Sequence, residues 1–218
     1  MFRSAPIRAR PVIPITLAVP SSLPTPRRSR AVLATVAALW LSAVSIGFVR
    51  LWSYQSQPGV SASSTSRWPE HCAIERRPNL PTLLVFVHPQ CPCTRATIGE
   101  LDRIAARCVD RLQIVVAFLE LPELGEQWTR TELWNSAAAI PGVEVRADRD
   151  GALARSFHAE TSGQTLLFDA AGRLVFEGGI TGSRGHAGDN AGEDAVVAFA
   201  HGTSPECAAT PVFGCRLF

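Results

Sequence analysis

The sequence predicts an α/β domain with a mixed sheet, preceded by one transmembrane helix. Three observations predict it. Residues 31–49 form an uncharged apolar run of 19 residues, which as a helix rising 1.5 Å per residue comes close to the ~30 Å of bilayer hydrocarbon. Beyond it, short apolar segments rich in β-formers alternate with segments of helical periodicity, as strands and crossover helices do. Finally, two strand-like segments near the end flank Ala170-Ala171-Gly172, a hairpin signal that adds antiparallel pairing.

The charge pattern divides the chain. All 21 basic residues are Arg; residues 1–52 hold seven of them and no acid, whereas residues 53–218 hold 14 against 19 Asp and Glu. An acidic domain lacks the clustered positive charge that drives nucleic-acid binding, so that class is excluded. Arg27, Arg28 and Arg30 precede the apolar run, and Trp40 and Trp52 lie within or beside it. The positive-inside tendency then puts residues 1–30 in the cytoplasm as an Arg/Pro-rich arm, with residues 31–52 as the anchor. Residues 53–67 read as a flexible linker and residues 68–218 as an extracytoplasmic domain, a single-pass topology for the inner membrane. The alternative is a cleaved signal peptide, but the run exceeds a signal core and no small-x-small cleavage site stands out after it. Arg27-Arg28 matches a twin-arginine signal poorly.

Within the domain, residues 82–88 (TLLVFVH) read as a buried parallel strand. Pro92 to about Cys108 reads as a helix, with Pro92 suited to its first position and Ile98, Leu101, Ile104, Ala105 and Cys108 on one apolar face. This puts Cys108 in the core as a buried free thiol. A second buried strand follows at 112–119, a helix at 126–139, a short strand at 142–147 and a brief helix at 150–158. Strands 165–169 and 173–178 form the hairpin, and a last helix fits 191–201.

All six cysteines lie beyond the apolar run, where disulfides can persist if the domain is outside the cytoplasm. They allow 15 pairings if all are bonded. Cys207 and Cys215 could pin the tail by a mutual disulfide, or one of them could resolve a disulfide formed at Cys91 or Cys93. Cys72 could pair with either.

A strand ending in FVHPQ, followed by Cys91-Pro92-Cys93-Thr94 and an amphipathic helix, resembles the redox-site segment of the thioredoxin superfamily. TLLFDAAGRLVFEGG is similar to that superfamily's closing hairpin, and the resemblance spans about residues 80–201. The ending TPVFGC and the loop GITGSRGHAGDN also resemble a membrane-anchored bacterial branch, the RedB proteins. The resemblance implies a thioredoxin-like mixed sheet flanked by helices, with Cys91 attacking protein thiols or disulfides and no cofactor required. A helix N-terminus favours thiolate over thiol, which gives Cys91 a physical reason for its place.

Two departures qualify the resemblance. The usual second cysteine lies three positions on, where this chain has Thr94, so Cys93, two positions on, is the expected resolving thiol. A Cys-x-Cys disulfide closes a small, strained ring. Gln164 stands where the superfamily carries a cis-proline. In the unusual loop 179–190, Arg184 and His186 are candidates to tune the thiols or shuttle protons, while Asp189 and Asn190 could simply cap the next helix. The rival reading is a copper or zinc carrier on the same scaffold, similar to chaperones of respiratory-oxidase assembly, with Cys91, Cys93, His186 and His88 as candidate ligands. A peroxidase is disfavoured because His88 stands where the peroxiredoxin branch has Thr.

Overall fold

The computed structural model describes residues 27–60 and 64–218; the N-terminal arm expected at 1–30 lies mostly outside the described residues. By compactness the chain divides after Val49. The first unit is carried by helix α1 (Arg27–Ser56). Its stretch Ser29–Ser56 contains an 18-residue window of mean hydropathy 2.2 and is long and apolar enough to cross a membrane. The helix therefore continues four residues past the expected anchor end.

The second unit, Arg50–Phe218, holds the domain. Its elements are β1 (Thr82–Val87), α2 (Thr94–Arg107), β2 (Gln113–Glu120), α3 (Glu126–Thr129), α4 (Glu132–Ala138), β3 (Val143–Arg149), α5 (Ala152–Ser156), β4 (Gln164–Phe168), β5 (Leu174–Gly178) and α6 (Ala191–Ala200). They form a five-stranded sheet in the order β3-β2-β1-β4-β5. β1 runs parallel to β2, and β2 parallel to β3, whereas β4 pairs antiparallel with both β1 and β5. The expected mixed sheet is thus present.

β1 lies at the centre, every residue buried. Because side chains alternate across a strand, Leu83, Val85 and Val87 enter one core, while Leu84 and Phe86 enter the other. Ile98, Leu101 and Ile104 of α2 fill the first, with Cys108 at its edge, 2% exposed as the periodicity predicts. The second is aromatic: Phe157 and Phe168 each meet Trp68 edge-on, with ring centroids 5.0 and 5.1 Å away. Leu217, from the far end of the chain, belongs to this second core.

Three local expectations are corrected. α2 begins at Thr94, because two tight turns come first: Cys91 N–H donates to His88 O (3.1 Å) and Thr94 N–H to Cys91 O (3.1 Å). Pro92 therefore sits in a turn, and Cys93 occupies the cap. The single helix expected at 126–139 is broken at Arg130, whose backbone (ψ 65°) leaves the helix. Thr129 is buried toward β2 and donates to Leu119 O (3.5 Å), and Thr131 donates to Pro89 O (3.3 Å). These bonds draw the chain toward the sheet. Third, much of the segment expected as a linker is laid on the domain. Leu174 N–H donates to Ser66 O (2.9 Å), and Gly59 N–H donates to Val212 O (2.8 Å).

Candidate functional site

The cysteine turn stands at the C-terminal end of the central strand. Its geometry is set by a hydroxyl pair that composition and periodicity gave no reason to single out. Ser162, in the loop before β4, accepts from His88 N–H (2.9 Å) and shares a hydrogen bond with Thr94 Oγ1 (3.0 Å). Thr94 Oγ1 also donates to His88 O (3.3 Å). Ser162, Thr94 and His88 thereby tie the loop to the turn. Thr94 stands where the superfamily carries its second cysteine, and here it ties the turn to the loop and supports Cys91 through its hydroxyl.

Cys91 is 1% exposed, whereas Cys93 and Cys215 are half-buried. Cys91 Sγ and Cys215 Sγ are in hydrogen-bond contact at 3.1 Å. Cys215 arrives on the C-terminal tail, which meets residues 160–162 through an isolated bridge. Ser162 N–H donates to Cys215 O (2.8 Å) and Leu217 N–H to Glu160 O (2.8 Å), and Thr161 and Arg216 form an antiparallel bridge between them. Buried Val212 and Leu217 fix the tail on either side of the cysteine. Gly214 explains how the backbones come so close, since a Cβ there would lie 1.8 Å from Ser162 O. The mutual Cys207–Cys215 disulfide is not formed. Cys207 lies near Ala191 O (3.7 Å), and Cys72 accepts from Ile74 N–H (3.4 Å), so neither meets Cys215.

The three neighbouring thiols ionise unequally. Burial opposes ionisation of Cys91, but hydrogen bonds from the Cys215 side chain and backbone, Cys93 backbone and Thr94 hydroxyl outweigh it and hold the thiol below its ordinary range. Cys93 moves upward through burial and the neighbouring Cys91 charge, with Arg184 opposing. Cys215 is pushed up to about 12 by burial and by its hydrogen bond to, and repulsion from, Cys91; Arg184 again opposes. When one proton is missing, Cys91 bears the negative charge and Cys215 keeps its proton.

Of the loop residues, Arg184 reaches the site. Its Nη1 donates to Gly214 O (2.5 Å), and its Nε is buried with no hydrogen-bond partner among the described residues. The loop is held by Glu100, fully buried on α2, which accepts from Gly188 N–H (2.8 Å). Asn190 caps α6 through Glu193 N–H (2.9 Å), the bland alternative for that residue. His186 is exposed, in a turn closed by its own N–H to Ser183 O (3.3 Å). His88 packs edge-on against Trp128 (5.2 Å), and its Nδ1 accepts from Gln90 N–H (3.1 Å); burial lowers its pKa. Among the described residues no group of three or more His, Cys, Asp or Glu side chains is arranged to hold a metal ion. Cys91, Cys93, His88 and His186 are thus not gathered as the ligand set of the carrier reading.

Gln164 does not reproduce a cis-proline, since no peptide bond among the described residues is cis. Gly163, at φ +90°, makes the turn into β4 while its N–H donates to Phe86 O (2.7 Å). Gln164 binds Ser64 Oγ through Nε2 (3.3 Å) and accepts from Glu160 N–H (3.1 Å), tying the docked segment to the same loop. A cleft of about 300 Å³ is lined by Cys91 together with Pro89, Gln90, Pro92, Arg95 and Thr131.

The strand order, the cysteine turn opening the first crossover helix and the closing hairpin make the fold thioredoxin-like, as the sequence resemblance implies. No family profile matches the chain, and no curated protein matches it. Among solved structures, an uncharacterized conserved protein from Geobacillus kaustophilus is similar at 18% identity and a TM-score of 0.55, covering 74% of this chain and 92% of its own. A hypothetical protein from Sinorhizobium meliloti is similar at 18% identity and a TM-score of 0.54, covering 74% and 93%. A secreted Mycobacterium tuberculosis disulfide oxidoreductase homologous to E. coli DsbE aligns at 14% identity and a TM-score of 0.43, covering 57% and 83%.

Proposed function

We propose that this protein carries out thiol–disulfide exchange on protein thiols or disulfides, with Cys91 as the attacking nucleophile. The observation that carries the reading is a buried cysteine whose thiol is held below its ordinary range, with a second thiol 3.1 Å away. Thiolate is the attacking species in disulfide exchange, and a nearby thiol releases the resulting mixed disulfide. A purely structural set of bridged cysteines fits poorly, because the described cysteines are all free. The exchange chemistry needs no cofactor. The anchor belongs to the same proposal: α1 spans the inner membrane, the Arg-rich arm stays in the cytoplasm, and the domain works outside it, where partners carry disulfides. Arg184 is the charged group that supports the secondary thiols.

The test is insulin reduction by the full-length protein in detergent. Cys91→Ser should abolish it. Alkylation of Cys91 should have a midpoint below the roughly 8.5 of a free cysteine, so its rate persists as pH falls through that value. An unshifted midpoint together with an active Cys91→Ser variant would remove the reading.

A further inference from the structure

We propose that Cys215 is the resolving thiol of this site, so that the working disulfide joins Cys91 to a cysteine delivered by the C-terminal tail. This rests on the exchange reading and goes beyond it by moving the second redox residue from the Cys-Pro-Cys turn to the other end of the domain.

Three independent features carry the inference. The two sulfurs already touch at 3.1 Å, so bond formation needs a short approach and no rearrangement of an element. The tail is held at that distance from two sides: residues 160–162 pair with 215–217 along one edge, and Gly59 N–H reaches Val212 O (2.8 Å) along the other. Third, Arg184 clasps the tail carbonyl next to Cys215, at Gly214 O (2.5 Å), and keeps a buried Nε–H without an acceptor among the described residues. A fixed positive charge thus favours ionisation of Cys215, while the hydrogen-bonding contact of the Arg184 side chain with a thiol is made to Cys93. Cys93 offers a poorer bond, because joining it to Cys91 closes the strained ring of a Cys-x-Cys disulfide.

The steps balance as follows. The Cys91 thiolate attacks one sulfur of a substrate disulfide; the Cys91–substrate bond forms, the substrate S–S bond breaks, and the departing sulfur takes up the proton released by Cys215. The Cys215 thiolate then attacks Cys91 Sγ. The Cys91–Cys215 bond forms, the Cys91–substrate bond breaks, and the second substrate sulfur leaves and is protonated by water. Two electrons pass from the cysteine pair to the substrate. The same steps in reverse oxidise a substrate dithiol. Electrostatics helps to order them: burial is the largest influence keeping Cys215 protonated and it persists, but the next two are the hydrogen bond to Cys91 and the Cys91 charge. Both vanish once Cys91 is bonded to substrate, while the favourable Arg184 charge remains. Cys215 therefore ionises more readily after the first step than before it.

The experiment mixes reduced full-length protein in detergent with insulin, quenches with acid, alkylates and maps disulfides by mass. Wild type should yield a Cys91–Cys215 bond. Cys215→Ser, which preserves the tail backbone pairing, should stall as a Cys91–insulin adduct that clears at least tenfold more slowly. Cys207→Ser, whose sulfur lies near Ala191, should clear at the wild-type rate. A Cys91–Cys93 bond in wild type, with unimpaired clearance in Cys215→Ser, would overturn the inference and leave the exchange reading standing. No Cys91 adduct in any variant would remove both.

Discussion

Two opposed effects meet at Cys91, where burial favours the neutral thiol and convergent hydrogen bonds favour the anion. The hydrogen bonds prevail because donors come from three directions: Cys215, the Cys93 backbone and Thr94. The helix N-terminus contributes less directly than the sequence suggests, since Cys91 lies three residues before the first helical residue. Arg184 acts on the other two thiols, lowering Cys93 and Cys215 against burial. Arg184→Met should therefore slow release of the Cys91 adduct roughly tenfold, about 1.4 kcal/mol of barrier, and move the pH midpoint of that release upward. Stopped-flow measurement of adduct decay against pH checks this, and an unmoved midpoint would show that Arg184 serves only to hold the tail. His186, its sequence neighbour by two, illustrates how a loop can look uniformly functional while its turn places one side chain on the site and another in solvent.

At the level of elements, the tail is the piece that sequence periodicity could not show. β1 and β2 were legible because runs such as LLVFV and IVVAF are short and rich in β-branched and aromatic residues, which favours buried strands over helix, and α2 because its apolar spacing is regular. The tail pairs through a few backbone bonds and one isolated bridge, and no side-chain pattern marks such a contact. Proximity of Cys215 to Cys91 was therefore one open pairing among several. Ser162 escaped for a related reason: a lone serine before a strand looks like any turn residue. The break between α3 and α4 escaped because it depends on Thr129 and Thr131 bonding to distant carbonyls. Gly214 allows the tail's close approach, so Gly214→Ala should lift Cys215 away from Cys91, with adduct release at least tenfold slower. The two cores involve Gly214 little, and global stability should fall only modestly, by about 1 kcal/mol. Thermal melting beside adduct mapping tests this; a tail still seated in the alanine variant would contradict the packing described for it.

Across the whole molecule, charge and hydropathy were the most legible features, because they need no tertiary contact to be read. An apolar helix preceded by arginine and followed by an acidic domain predicts that a C-terminal alkaline phosphatase fusion is active and that the mature chain keeps its N-terminus. A fusion active only in the cytoplasm would reverse the topology. On the proposed reading, the second sulfur of the site comes from the tail bonded at Ser162 N–H and Glu160 O. That placement has a consequence for competition. A tethered partner on a short flexible linker already acts at millimolar effective concentration, and one fixed in orientation can act as though far more concentrated, up to the order of 10⁵ M or beyond. On that reading, free small thiols at concentrations below this effective value would be outcompeted for a mixed disulfide at Cys91. The protein's choice of partner is insulated from the ambient thiol pool as long as the tail stays seated.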